Sequence, residues 1–265
     1  MQNFEYHRPS KVADAVKPFK KKGSEAKFLS GGMTLLPTIK QGLASPSAII
    51  DLGGLGNTGI KASAKSVIVK AGTCHADVVS SKDVKKAIPA LCVLAGGIGD
   101  PHVRNRGTLG GSIANNDPAA DYPAAVLGLG ATVHTSARKL PADKFFTGMF
   151  STALKNDEIV TAVEFPVPKK AGYAKFPNPA SRYAMVGVFV AQMGDGSVRV
   201  AVTGAGPSVF RVPEMEAALA KKFAPESLNG ISVKARNLNS DMHASAEYRA
   251  HLVGVMARRA VAAAK

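Results

Sequence analysis

The sequence predicts an α+β fold, in which an N-terminal portion of α/β units precedes a C-terminal antiparallel sheet with helices. Three observations carry this. Residues 26–41 read as strand, glycine loop and helix in succession, the unit from which layered α/β structures are assembled. Two strand-like runs, 182–193 and 197–202, meet at Gly194-Asp195-Gly196, which suits a hairpin turn. Helical spacing then fills 244–263.

In chain order, Ala26-Lys27-Phe28-Leu29 is a short strand, residues 35–41 have helical spacing, and Gly42 supplies the stop. Residues 48–52 and 67–71 are buried strands, with Gly53-Gly54-Leu55-Gly56-Asn57 between them as a turn or subdomain joint. Helical segments around 76–88 lead to Ala95-Gly96-Gly97-Ile98-Gly99-Asp100-Pro101, a glycine-rich approach to a second glycine pair. Asp117-Pro118 predicts a helix start, with the aspartate as cap and the proline at the first position. Asp121 then reads as a favourable first-turn charge.

Residues 131–135 and 159–165 alternate as strands, and Pro166 and Pro168 end the second. A boundary near 169–172 divides the chain into 1–170, with subdomains of about 1–55 and 56–170, and 171–265. In the last helix Tyr248, Leu252, Val255 and Met256 form one apolar stripe, opposite Arg249 and Arg258.

A chain of 265 residues can bury a substantial core, and 46% hydrophobic against 20% charged residues argues against disorder. No apolar run is long enough to cross a bilayer, and Met1-Gln2-Asn3-Phe4-Glu5-Tyr6 has no apolar signal core, so a cytoplasmic location is expected. The net charge of +15 raises nucleic acid as a partner. Apart from Lys20-Lys21-Lys22, however, the basic residues are scattered, with few aromatics beside them and no reading motif. A positive surface equally suits docking to acidic protein partners. Two cysteines, Cys74 and Cys92, cannot by themselves form a disulfide framework, a tetrahedral metal site or an iron–sulfur cluster. Metal chemistry is therefore expected on a partner. Cys74, His75 and His102 show no ligand spacing, Cys92 reads as a small core residue, and no nucleophile–base–orienter set is present.

Two glycine loops carry the functional signal: Leu29-Ser30-Gly31-Gly32-Met33-Thr34 and Thr108-Leu109-Gly110-Gly111-Ser112. A helix start offers unpaired N–H groups and partial positive charge, and glycine lets a phosphate approach them. Thr34 could cap the following helix or bond a phosphate oxygen. Neither the P-loop nor the Rossmann signature occurs. The second loop is crowded by Asn115, Asn116, Asp117 and Asp121, short side chains able to hold a diphosphate and a ribose or ribitol. Each glycine pair could equally be a plain turn.

These residues resemble a known family. Ser30-Gly31-Gly32-Met33-Thr34 with Leu35-Leu36-Pro37 is similar to the first FAD-binding motif of the flavin subunits of molybdenum hydroxylases. The run from Ile98-Gly99-Asp100-Pro101 through Gly110-Gly111-Ser112 to Asp117-Pro118-Ala119-Ala120-Asp121 resembles the second. The likeness spans nearly the whole chain and is closest to the medium subunits of aerobic carbon monoxide dehydrogenases. It implies a p-cresol methylhydroxylase-like, two-subdomain FAD-binding portion joined to a C-terminal sheet-and-helix domain. The pyrophosphate would lie against both glycine loops. Asn115 and Asp121 would contact the diphosphate and ribose region, Ile159 would pack on the cofactor, and Lys175 would approach the flavin ring. A strand lysine snorkelling to solvent is the alternative for Lys175. Met33 replaces the polar residue often found at its position, leaving the backbone N–H as the group that could serve.

The resemblance also implies partners: a small subunit with [2Fe-2S] clusters and a large subunit with the molybdopterin cofactor, as a dimer of heterotrimers, plus an external electron acceptor. The competing readings are a self-contained flavin oxidase of the p-cresol methylhydroxylase-like superfamily and a basic binding protein whose glycine loops are only turns.

Overall fold

The computed structural model describes residues 3–22 and 25–265. Met1, Gln2 and the side chains of Lys20 and Lys22 lie outside the described part. The first layer is a parallel sheet of β1 (Glu5–His7), β2 (Ala26–Leu29) and β3 (Ala48–Asp51), in the order β1-β3-β2. Helix α1 (Val12–Lys22) connects the first two strands and α2 (Leu35–Lys40) the next two. Ala15 and Phe19 of α1 bury against Ala26, Ala48 and Ile50, and Phe19 stacks on Phe28 at 5.0 Å. These helical connections between parallel strands are βαβ units, in keeping with the strand–loop–helix pattern of the sequence. Leu52–Leu55 forms a single 3-10 turn, started by Asp51, whose carboxylate accepts from Gly53 N at 2.8 Å.

The second sheet is antiparallel throughout. It comprises β4 (Ile60–Ala62), β5 (Ser66–Lys70), β6 (Thr132–Thr135) and β7 (Lys139–Pro141), with a long strand from later in the chain at its centre. Between β5 and β6 run α3 (His75–Ser80), α4 (Lys82–Ala87), α5 (Pro89–Gly96), α6 (Pro101–Arg104), α7 (Leu109–Asn115) and α8 (Tyr122–Gly128). A short hairpin, β8 (Phe146–Gly148) and β9 (Ser151–Thr152), then leads into β10 (Val160–Pro166), the central strand between β5 and β6. Helix α8 is buried on every residue. It forms the floor of the largest core.

The remaining strands are β11 (Lys170–Pro177), β12 (Ala184–Gln192), β13 (Val198–Thr203) and β14 (Phe210–Arg211), an antiparallel sheet in that order. Because side chains alternate across a strand, Phe189 and Ala191 face the α5–α8 core while Val186, Val188 and Val190 face the other way. That second face is covered by α9 (Pro213–Lys221) and α10 (Ala246–Ala262). A sheet covered on both faces explains why β12 is apolar along almost its whole length.

Two helical expectations need correction. Asp117 and Pro118 do not start a helix; α8 begins at Tyr122, with Asp121 at the cap position and Pro123 in the first turn. Residues 117–120 form a turn in which Asp117 accepts from Ala119 N at 2.9 Å, and whose carbonyls point to the C-terminal sheet rather than up a helix. The stripe on α10 is also rotated. Arg249 is buried together with Leu252, Val253, Met256, Ala257 and Ala260, whereas Tyr248 is 43% exposed. The buried guanidinium is retained because main-chain carbonyls and a carboxylate receive hydrogens from Nη1 and Nη2, while Nε is left without an acceptor.

Candidate functional site

The first glycine loop leaves β2 at Leu29 and enters α2 at Leu35. Among the described residues, the N–H groups of Gly31, Gly32, Met33, Thr34 and Leu35 find no acceptor in the chain. Thr34 holds the cap position but its side chain makes no cap bond, and Pro37 has no N–H to contribute. The loop therefore presents a row of open donors at a half-exposed surface, with Met33 supplying backbone and an exposed side chain. Such a row suits an anion.

This loop lies directly on the approach to the second. A methyl group on Gly31 would collide with the Arg106 carbonyl oxygen and sit 2.9 Å from the Gly107 Cα, so only glycine permits the contact. Ser30 Oγ and Thr108 Oγ1 join the two loops at 2.9 Å.

The second loop is the first turn of α7, with Thr108 as its cap. Its donors are spent internally: Leu109 N on Thr73 O at 3.1 Å, Gly110 N on Ala71 O at 2.9 Å, and Gly111 N on Thr108 Oγ1 at 3.1 Å. The two glycine motifs therefore divide the work. The second docks α7 onto the end of β5 and offers the half-buried Ser112 and Asn115; the first keeps its backbone donors free.

Beyond the turn at 117–120 lies a buried polar cluster. Asp121 is 4% exposed; its Oδ1 accepts from the Tyr173 hydroxyl at 2.5 Å and lies 2.9 Å from Lys175 Nζ. The same ammonium donates to the carbonyls of Gly97, at 2.7 Å, and Arg182, at 3.0 Å. Lys175 thus does not reach solvent as a strand lysine would. Burial pushes the Asp121 carboxyl up from its usual range, opposed by the Lys175 charge and the Tyr173 hydroxyl. Burial and the neighbouring carboxylate push Tyr173 up, so it stays a protonated donor.

Ile159 sits elsewhere, in the core of the first layer with Ala15, Phe19, Ala26, Ala48 and Ile50. It follows Glu158, which is gripped by Arg138 through Nε and Nη2 at 3.0 Å each.

Four participants were not legible in the sequence. Tyr173 and the carbonyls of Gly97 and Arg182 complete the surroundings of Lys175, and His75 lies beneath the second loop. His75 is 4% exposed, its Nδ1 has no partner, and its ring is 5.3 Å from that of Tyr122. Burial, with help from the Arg104 charge, lowers it to about 4, so it is neutral at physiological pH. The contacts that define it come from Gly107 and Tyr122, distant in sequence; no local pattern announces them.

Asn116, next to Asn115, is held in the left-handed region at φ 44°. Its Nδ2 donates to Gly148 O and Ser151 O, both at 2.8 Å, and its carbonyl accepts from Phe150 N at 3.1 Å. It thereby fixes the β8–β9 hairpin to the end of α7. Among the described residues no group of three or more His, Cys, Asp or Glu side chains is placed to hold a metal, and no helix is long and apolar enough to cross a membrane.

Comparison with known proteins accounts for the chain in two pieces. Residues 2–168 match the family described as the FAD binding domain in molybdopterin dehydrogenase, and residues 171–264 match the CO dehydrogenase flavoprotein C-terminal domain. The nicotine 6-hydroxylase medium subunit of Paenarthrobacter nicotinovorans is 35% identical, over 97% of this chain and 95% of that protein. The carbon monoxide dehydrogenase medium chain of Afipia carboxidovorans is 33% identical, over 99% and 97% respectively. In three dimensions the chain is similar to the carbon monoxide dehydrogenase structure from Hydrogenophaga pseudoflava that lacks the Mo-pyranopterin moiety. The TM-score is 0.87 at 32% identity, covering 99% of this chain and 97% of that one.

Proposed function

Because this chain belongs to the FAD-binding medium subunits of molybdenum hydroxylases, we propose that it relays electrons from [2Fe-2S] clusters on a small partner subunit, through FAD, to an external acceptor. A large partner subunit carries the molybdopterin cofactor, and the three chains pair as a dimer of heterotrimers. The division of labour is supported by the two cysteines of this chain, too few for a cluster by themselves.

The observation that carries the reading is the first glycine loop: unpaired N–H groups from Gly31 to Leu35, braced on the second loop through Ser30 and Thr108. A donor set of this kind fits a pyrophosphate, and no lysine is required. FAD, when bound, supplies the ability to take electrons singly from a cluster and deliver a pair to an acceptor. Leu29, Ser30, Gly31, Gly32, Met33 and Thr34 would hold the diphosphate from one side, and Thr108, Leu109, Gly110, Gly111 and Ser112 would set the opposite wall. Asn115 and Asp121 would take the diphosphate and ribose region. Ile159, enclosed in the core of the first layer, would support the cofactor's packing only through the residues around it.

Lys175 has a narrower role than a free cation. Its ammonium is surrounded by three protein oxygens, so it would act near the flavin by its charge and by fixing Gly97 and Arg182, with Asp121 offsetting much of that charge. The proposed division at 170/171 is supported by the two matched segments and by β11 opening a separate sheet.

Native purification with subunit identification, flavin absorbance and metal analysis tests this reading. The expected result is a yellow-brown complex of this chain with one larger and one smaller partner, containing iron and molybdenum. A colourless chain that copurifies with neither metal would overturn it.

A further inference from the structure

We propose that Arg249, on the C-terminal helix α10, is a positioning residue for the cofactor site, acting through the 118–120 turn on Asp121; the inference rests on the flavin reading above. Its guanidinium is 4% exposed and bridges two strand ends: Nη1 donates to Met185 O at 2.7 Å and to Gly204 O at 3.1 Å, while Nη2 donates to Asp241 Oδ2 at 2.7 Å. Only a planar fork of donors serves these acceptors together, which a lysine cannot do.

The strand ends that Arg249 joins are the ones that hold the turn. Gly204 N donates to Pro118 O at 2.8 Å, the single hydroxyl hydrogen of Thr203 goes to Ala120 O at 2.6 Å, with Pro118 O 3.1 Å from the same oxygen, and Ala184 N donates to Ala119 O at 3.2 Å. All three carbonyls preceding Asp121 are therefore fixed by the start of β12 and the end of β13. Gly204, at φ +82°, brings these strand ends so close that a Cβ there would lie 2.8 Å from the Met185 carbonyl oxygen. Arg249 sits behind that junction and neutralises two carbonyl dipoles that would otherwise repel across it.

The junction also sets the other half of the site. Ala184 follows Arg182 and Tyr183, and the Arg182 carbonyl is one of the acceptors around Lys175. Displacing Met185 and Gly204 would move Asp121 from one side and Arg182 from the other. Two of the three partners of the Lys175 ammonium, Asp121 and the Arg182 carbonyl, thus depend on one guanidinium placed in a different layer.

The test compares Arg249→Lys and Thr203→Val, which cut the path at its two ends, in the full chain expressed with its partner subunits. Each variant should fold, raise the FAD dissociation constant about tenfold and shift the flavin reduction potential, and the double variant should be little worse than either single one. Hydrogen exchange at the 119–121 amides, read without FAD, should accelerate in both. Unchanged affinity and potential in folded variants, or effects that simply add, would overturn the proposal. Should Arg249→Lys not fold, Asp241→Asn, which removes the carboxylate from Nη2, takes its place under the same expectations. Should the wild-type chain bind no FAD, the flavin reading fails, and the exchange rates at 119–121 still decide whether Arg249 positions the turn.

Discussion

Lys175 Nζ lies 2.9 Å from Asp121 Oδ1, with the lysine side chain 9% and the aspartate side chain 4% exposed, and the pair ties the C-terminal sheet to the helix α8. Two buried charges of opposite sign are tolerable together and costly apart, because water no longer solvates the survivor. Lys175→Met should therefore destabilise the FAD-free chain by roughly 3–5 kcal/mol. Lys175→Met with Asp121→Asn should recover part of that loss, since the orphaned charge is gone while the Tyr173 hydroxyl retains an acceptor. Urea unfolding of the single and double variants measures this; a double variant as unstable as the sum of its parts would contradict the pairing.

Gly31→Ala probes the joint between the two loops. The added methyl meets the Arg106 carbonyl oxygen, a backbone atom that cannot swing aside, so the first loop must lift from the second. A cost of about 1–3 kcal/mol is expected from such overpacking. Flavin content should fall far more steeply than stability, because the open donors of Gly31 to Leu35 move with the loop. Flavin-to-protein ratio alongside a thermal melt separates the two effects.

Asn116→Ala should loosen the β8–β9 hairpin. The substitution strips the partners from the Gly148 and Ser151 carbonyls and places alanine at φ 44°, a conformation asparagine tolerates better. Lost buried hydrogen bonds of this kind cost about 1–3 kcal/mol. Faster hydrogen exchange confined to 146–152 and the end of α7 is the expected signature, and Asn116→Gly should be milder because the strain is relieved.

These variants also show where sequence reading reached and where it stopped. The strand–loop–helix unit at 26–40 and the hairpin joining β12 and β13 were legible because both are set by neighbours in the chain. The glycine motifs and their family resemblance were legible for the same reason. Asp117-Pro118 has the local chemistry of a helix start, yet the carbonyls that would have begun the helix are captured by Ala184, Thr203 and Gly204, far along the chain. The charge of Arg249 predicts exposure, and only the strand ends at Met185 and Gly204 reveal why it is inside. His75 is likewise defined by Gly107 and Tyr122. Helix faces and buried polar partners are tertiary facts, and propensity carries no information about them.

His75 is lowered from 6.5 to about 4 by burial and by the Arg104 charge, so the unfolded chain binds a proton that the folded chain refuses in that interval. Its stabilising effect is complete above pH 6.5 and drains away as pH falls toward 4. Glu158 is lowered from 4.5 to about 2, chiefly by its hydrogen bonds from Arg138, so its contribution is complete above pH 4.5 and is lost as pH falls toward 2. The two windows barely overlap, and each group supplies on the order of 2 kcal/mol by linkage. Stability measured by denaturant unfolding should thus decline in two stages as acid is added. His75→Gln should flatten the upper stage alone and Glu158→Gln the lower alone, the latter at a lower overall stability because Arg138 loses its partner. A decline below pH 6.5 that persists unchanged in His75→Gln would assign that stage to another group.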